Sequence, residues 1–547
     1  MRRLPLLLVV GVIALAISVP VSGGLLGFGA SPSGPPAPSE QAAAPSPPGP
    51  ATTAAPPTEP PAPTEPPPTP EPTPVFADVA IVPVAHFRST RTSTDREEVE
   101  AVLAGRSTRY RALELVEGDA DGILAALDMA RPAESRHLIL AKDAKTLKRH
   151  LAKNRKRLAI IRADDVTAGV RALAWGKRSL FGVDRVRDVA DWRLFAHLPD
   201  ADRDGQDAFD PSTTWTMFAG GDVLLDRGVH QTITVRGKGE DFPFDGGFAE
   251  ITGHTCCSGF GHPVPTMRRT GGKGAMRELM KGADIAIANF ENPAPNTFRW
   301  HTSGVVFSAD RRNLEGLVRA GLDYVSIANN HIGDAGRNGI LQTIKNLDRV
   351  GLEHSGAGKD LAAARKPAIL EANGMEVAIL GYDAIARYYN AGKGRPGNAP
   401  LSRKNVEKDV AKAREAGADV VIVFPHWGVE YRASPFTGQQ KLARQIIDAG
   451  ADMVIGNHAH WAGAMEVYKG KPIWYALGNF VFDQTWSEPT MEGMTLELTF
   501  RGSELVQARM RPHIILDKAQ PNFLDERGDG KIVMGQVYEA SKGILPW

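Results

Sequence analysis

Apolar and polar positions in the second half of the chain fall into two alternating kinds of segment. Short, mostly apolar runs occur at Thr214–Phe218, Ala283–Asn289, Tyr324–Ala328, Val420–Phe424 and Met453–Ile455. Their length and content suit strands buried on both faces. Between them lie amphipathic stretches at Asn313–Ala320, Gly339–Val350, Lys404–Ala416 and Gln439–Ala449. Each closes at or near a glycine, a common helix stop. Val377–Gly381, Ala464–Tyr468, Pro472–Ala476 and Met494–Phe500 read as further strands of a hairpin kind, with Lys469-Gly470 as one turn. The pattern predicts an α/β fold of two packed sheets flanked by helices over residues 212–515. Residues 516–547 read as a C-terminal tail with a last strand at Ile532–Val537.

A smaller α/β domain is expected over residues 76–200. Strands are predicted at Val79–Val84, His137–Ala141 and Leu158–Arg162, and helices at Thr94–Leu103, Gly122–Met129, Ala144–Lys156 and around Val166–Trp175. The Asp- and Gly-rich stretch Ala201–Pro211 marks the boundary between the two domains.

The first 75 residues have a different composition. Arg2 and Arg3 precede an uncharged run that is strongly apolar from Leu4 to Val21. That is about the length a bilayer requires, and the arginines favour a cytoplasmic N-terminus. Residues 1–30 therefore read as an uncleaved single-pass anchor, with a cleaved signal peptide as the alternative. Either places the rest of the chain outside the cytoplasmic membrane, attached to it or secreted. Residues 31–75 are rich in Pro, Ala, Thr and Glu and cannot bury a core. Extended at about 3.1 Å per residue, such a linker reaches on the order of 100 Å.

Charge narrows the partners. With 64 basic and 63 acidic residues the chain offers no general polyanion-binding face, so nucleic acid is not an expected partner. The only two cysteines, Cys256 and Cys257, are adjacent and provide no long-range disulfide framework. They lie in the Gly-rich segment 246–274, which reads as an insertion, or lid, beside the main domain's site.

The chemistry is concentrated where the apolar runs end. Asp222, Glu291, Asn330, His426, His458 and His460 all follow predicted strands, the end of an α/β sheet where sites form. Singly, each is an ordinary cap or turn residue. Together they make a mixed oxygen and nitrogen donor set suited to Mn, Zn or Fe, with enough donors for one or two divalent ions.

The motifs GGDVLLDR, NFENP, SIANNHIGDAG, VFPHWGVEY, GADMVIGNHAHW and KPIWYALGNFVFD, in this order, resemble the capsule-synthesis protein CapA family, associated with poly-gamma-glutamate. The family is similar to a divergent branch of calcineurin-like metallophosphoesterases. The resemblance implies a four-layer α/β/β/α fold. It also implies that Asp222, Glu291 and His460 hold a first metal and that Asn330, His426 and His458 hold a second, bridged by Glu291. His331 would serve the leaving group as a catalytic acid oriented by Asp334, and Arg227 would contact an anionic substrate. Two departures stand out. The parent pattern Asp-x-His is here Asp222-Val223-Leu224, so the first metal lacks a ligand, and Glu291 replaces a bridging Asp. The passage TSTDREEVEAVLAGRSTRYRAL is similar to part of periplasmic phosphate- or solute-binding proteins, which implies half of such a fold for residues 76–200.

The resulting expectation is an extracytoplasmic metal-dependent hydrolase of metallophosphoesterase type. Its substrate would be a phosphoester or an anionic polymer, and it would work with capsule ligase and exporter proteins in making, exporting or anchoring that polymer. The alternative is a non-catalytic protein that binds polymer or senses a ligand.

Overall fold

The computed structural model describes residues 75–132, 135–199 and 209–546. The expected anchor at 1–30 and nearly all of the expected linker at 31–75 lie outside the described residues. No helix among the described residues is long and apolar enough to cross a membrane.

Two sheets stack face to face in the larger part of the chain. One is ten-stranded and has Thr214–Val223 at its centre, parallel to Ile285–Phe290 and antiparallel to Glu492–Arg501. The other is six-stranded and carries Met375–Asp383, Val420–His426 and Met453–Ile455 as parallel neighbours. The period of two along each strand builds the layers. Val420, Ile422 and Phe424 meet Ile285, Ile287 and Trp215 in the core between the sheets. The intervening Val421 and Val423 face Val406, Val410 and Ile446 of the helices Arg403–Glu415 and Thr437–Asp448. On the opposite side Ala286 and Ala288 face the helices Ala275–Gly282, Leu314–Ala320 and Gly336–Val350. The order is thus helix, sheet, sheet, helix, the four-layer arrangement expected from the motifs. Gly321 and Gly351 end two of these helices with φ of 96° and 74°, backbone that a residue with a Cβ adopts only under strain.

Two sequence expectations are corrected. Val166–Trp175 is not a helix: Val170–Ala172 pairs antiparallel with the strand Phe76–His86. Val166, Thr167 and Val170 are β-branched and Gly169 weakens a helix, so the open sheet edge decides. Ile532–Val537 is not a strand but part of the helix Gly530–Ala540, whose Val533, Met534 and Val537 enter the inter-sheet core. Their i, i+1, i+4 spacing is helical. The strand Gln520–Leu524 also extends the large sheet, so the described residues from 516 to 546 share the core of the part before them.

The smaller α/β part is built on a six-stranded sheet, with Phe76–His86 antiparallel to Arg157–Arg162 and Ala112–Val116 parallel to Leu138–Ala141. It leans on the long hairpin Glu492–Arg501/Glu504–Leu516. The backbone amides of Gly182 and Val183 donate to Thr499 Oγ1 and Glu497 Oε1, each at 3.0 Å, and Ala172 N donates to Gln507 Oε1 at 3.0 Å.

Candidate metal centre

The strands that form the two sheets end at one place between them. Asp222 is the penultimate residue of Thr214–Val223, and Glu291 directly follows Ile285–Phe290. Asn330 and His331 lie beyond Tyr324–Ser326, and His426 closes Val420–His426. His458 and His460 follow Met453–Ile455. All of these except Asn330 and His331 are at most 4% exposed.

Two groups of three donors can each hold an ion and share one member: Glu291, His426 and His458, and Asp222, Glu291 and His460. Within each group the donor atoms lie within 4.8 Å of one another. In the first group His426 Nε2 is 3.1 Å from His458 Nδ1 and 3.6 Å from Glu291 Oε1. Asn330 Oδ1 joins it, 2.7 Å from His426 Nε2. In the second, His460 Nε2 is 3.7 Å from Glu291 Oε1, and its Nδ1 is 3.4 Å from Asp222 Oδ2. Donors bound at about 2.0–2.2 Å to a common ion lie roughly 3–3.5 Å apart, so this spacing fits.

Electrostatics gives an independent test of fit. Neither carboxylate oxygen of the buried Glu291 has a hydrogen-bond partner. Burial, followed by the charge of Asp222, raises its pKa well above the usual carboxylate value. Burial and the neighbouring imidazoles hold His426 far below the ordinary histidine value and His458 at about 3. His426 and His458 are therefore neutral, the form that binds metals. Both side-chain polar atoms of the buried Asn457 also lack partners. Orphaned buried donors and acceptors are costly, and a divalent cation would relieve those around Glu291.

Residues around the donors orient them. Asn479 Oδ1 lies 2.8 Å from His460 Nδ1, while Asn479 Nδ2 donates to Thr490 O at 2.8 Å. The tautomer this favours leaves His460 Nε2 with its lone pair towards Glu291. Asn289 donates to Asp222 Oδ1 at 2.8 Å and is itself approached by Asn329 Nδ2 at 3.4 Å. The sequence reading assigned Asn289 no role. Its signal was the period of two, which puts it on the same side of the strand as Glu291.

His331 Nδ1 sits 2.9 Å from Asp334 Oδ2, and that carboxylate also accepts from Phe307 N at 2.8 Å. The Phe307 ring packs 4.1 Å from the imidazole. Arg227 is bound to Asp483 through Nε, at 3.1 Å, and through a terminal nitrogen, and it donates to Gly304 O at 2.9 Å. Its partners within the protein already engage most of the guanidinium, so the structure places it in a half-buried ion pair. Leu224, at the position of the missing ligand, is buried in an apolar cluster with Phe307, Phe482 and Ile515.

The segment 246–274 is a hairpin, Phe248–Thr255 against Val264–Gly271, with a Cys256–Cys257 disulfide near its tip. Phe260 and His262 lie 5.4 Å and 5.7 Å from the Trp486 ring. Trp486 meets Tyr431 at 4.8 Å, and Tyr431 stacks on His460 at 6.0 Å.

Comparison with known proteins identifies the family of the stretch that holds these residues. Residues 216–484, which hold all of these donors, match the family described as bacterial capsule synthesis protein PGA_cap. Over 286 residues the chain is 34% identical to the capsule biosynthesis protein CapA of Bacillus anthracis, covering 49% of this chain and 66% of that one, just under two thirds of its length. A probable polyglutamine synthesis accessory protein of Mycobacterium tuberculosis, MT0602, is 31% identical over 286 residues, 49% of this chain and 74% of that one. The solved calcineurin-like phosphoesterase YfkN of Bacillus subtilis aligns with 60% of this chain and 96% of its own at 13% identity and a TM-score of 0.31. With the motif stretch, its order and the relatives in agreement, the chain belongs to the PGA_cap family of bacterial capsule synthesis proteins.

Proposed function

We propose that the protein is an extracytoplasmic, metal-dependent hydrolase-type member of its family that acts on an anionic surface polymer such as poly-gamma-glutamate, or on a phosphoester linked to it. The observation that carries this reading is Glu291, a buried carboxylate with two unpartnered oxygens shared by two donor groups. Glu291, His426, His458 and Asn330 would hold one divalent ion, and Asp222, Glu291 and His460 a second. Mn, Zn or Fe suits such donors. When bound, the ions supply Lewis acidity that stabilises negative charge developing on a substrate oxygen.

The chain's own residues do the rest. Asp334 accepts from His331 Nδ1, which fixes the imidazole and leaves Nε2 as the atom that passes a proton to a departing oxygen. Asn479 and Asn289 hold His460 and Asp222 in orientation. The buried walls exclude water, so each charge interaction is stronger than it would be in solvent. An N-terminal anchor and extended linker would hold the site away from the membrane, near capsule ligase and exporter proteins.

One observation supports a second reading. Leu224 replaces a ligand with a methyl-rich side chain packed against Phe307 and Phe482. A site thinned in this way suits polymer binding without turnover. The test is metal analysis of the purified protein together with phosphoester and γ-glutamyl hydrolysis assays. One to two equivalents of metal, with turnover lost in His331→Ala, supports hydrolysis. Bound metal with turnover unchanged in that variant would rule out His331 as the acid, and bound metal without turnover supports the binding reading.

A further inference from the structure

A second site lies away from the metal-type cluster, where the two α/β parts meet. The strand Phe76–His86 runs into the loop Phe87-Arg88-Ser89-Thr90-Arg91-Thr92-Ser93 before the helix Arg96–Leu103. This loop forms one wall of a cavity of about 380 Å³, and the end of the large sheet forms the other. Arg91 and Arg109 face it from one side, Arg511 and Arg527 from the other, and its acids are Asp525 and Glu526.

The charges do not balance locally. Glu526 is committed to Arg171, at 3.0 Å and 3.3 Å, and Asp525 to Arg527 at 3.7 Å. Arg511 pairs with Glu497 at 3.0 Å and Arg109 with Glu98 at 3.4 Å. Arg91, half-buried, has no acidic partner among the described residues. In a chain of net charge +1, this is a local excess rather than a general basic surface. Hydroxyls of Thr90, Thr92 and Ser93 line the same cavity and add neutral donors.

A second observation points the same way. A smaller space shares Thr90 and Glu526 with the cavity and is lined by Arg88 and Arg171. The Nε atoms of both arginines are buried and unpartnered, and Arg171 is only 6% exposed. A planar guanidinium fork matches the spacing of carboxylate or phosphate oxygens, so the two unpartnered Nε atoms, beside an Arg91 without an acidic partner among the described residues, point to an oxyanion.

We infer that this cleft binds an oxyanion ligand, a carboxylate or phosphate group, held jointly by the loop 87–93 and the end of the large sheet. The carboxylates of a γ-linked glutamate chain and free inorganic phosphate share this chemistry. Since both α/β parts contribute cations, the ligand ties the smaller part to the family-specific one.

The test is calorimetric titration of the purified full-length protein with inorganic phosphate and with synthetic γ-linked pentaglutamate. At least one should bind saturably, and Arg91→Glu and the exposed-site variant Arg527→Glu should each weaken it tenfold or more, while the melting temperature is unchanged. His458→Ala, which dismantles the metal-type cluster, should leave this binding intact even if the hydrolase reading fails. Phosphate binding alone identifies a small-anion site; pentaglutamate that displaces phosphate identifies the polymer. No saturable binding of either probe, binding unaltered in both arginine variants, or binding lost in His458→Ala would overturn the proposal.

Discussion

Glu497 lies within the large sheet, Glu291 directly follows one of its strands, and both are at most 1% exposed, yet their surroundings are opposite. Glu497 accepts from Arg511 at 3.0 Å and from Val183 N, and Arg509 lies 3.5 Å away. Despite burial, these partners hold its pKa down at about 2. Glu291 has no hydrogen bond, a carboxylate neighbour in Asp222, and a pKa driven far up. The same burial therefore produces a finished joint in one place and an incomplete one in the other. Glu497 helps seat the smaller α/β part on the larger. Among the described residues Glu291 has no hydrogen-bond partner for either oxygen, which is the property expected of a cation ligand.

The contrast can be broken in order of effect. Glu291→Gln should reduce metal affinity by more than the roughly 10–100-fold typical of an outer partner. In metal-free protein it should leave stability equal or higher, since a disfavoured buried carboxyl is removed. Metal titration and denaturant unfolding on the same sample check both. A metal-free Glu291→Gln protein that is strongly destabilised would show that the carboxyl is structural and end the contrast.

Glu497→Gln should behave oppositely, costing on the order of 3–5 kcal/mol in denaturant unfolding because Arg509 stays buried and unbalanced. The pH dependence has a definite sign. The folded pKa is lowered to about 2 from the ordinary carboxylate value of 4.5. The contribution is therefore fully present above about 4.5 and is lost as pH falls towards 2, with a size of about 3 kcal/mol.

Glu492 extends the comparison to a third buried carboxyl. Its Oε1 has no partner, and burial, aided by Glu488, raises its pKa to about 8. Here the folded state holds the proton more tightly than the unfolded state, so stability falls as pH rises from about 4.5 through 8. Glu492→Gln should remove that decline, a gain of a few kcal/mol near pH 9. Melting temperatures across pH 5–9 measure it, and parallel curves for the two proteins would show that Glu492 does not titrate in this way.

The smallest expected effect concerns orientation. Asn479→Ala removes the partner of His460 Nδ1 and should weaken metal binding about 10–100-fold while leaving the fold intact. Asn479→Asp should restore part of that affinity.

The donor set could be read in the sequence because one physical rule covers it. Apolar strands pack in parallel, and their ends converge on one edge, so polar residues directly after such runs share a location. Asp222, Glu291, Asn330, His426, His458 and His460 obey that rule and lie together. The surroundings of each donor were harder to read. Arg227 follows Asp222 closely, but its engagement by Asp483 spans more than 250 residues of chain, and local pattern contains no record of it. Val166–Trp175 failed because sheet edges compete with helical propensity, and Ile532–Val537 because a short apolar run suits either strand or helix. The cleft around Arg91 was invisible for a further reason: its walls come from the two ends of the described chain.

His458 and His460 have φ of 89° and 57°, in the left-handed region that residues with a Cβ seldom enter and that costs on the order of 1–3 kcal/mol each. The cost is met during folding, by the packed sheets on either side, before any ion arrives. An incoming ion would then find two imidazoles whose backbone has little freedom left to lose. Binding should accordingly be fast and should rearrange little, and metal removal should leave the loop in place. A glycine at either position would relax the backbone while deleting the donor. The reverse case is more revealing: His460→Asn keeps a side chain suited to left-handed backbone and would separate the shape of the loop from the chemistry it carries.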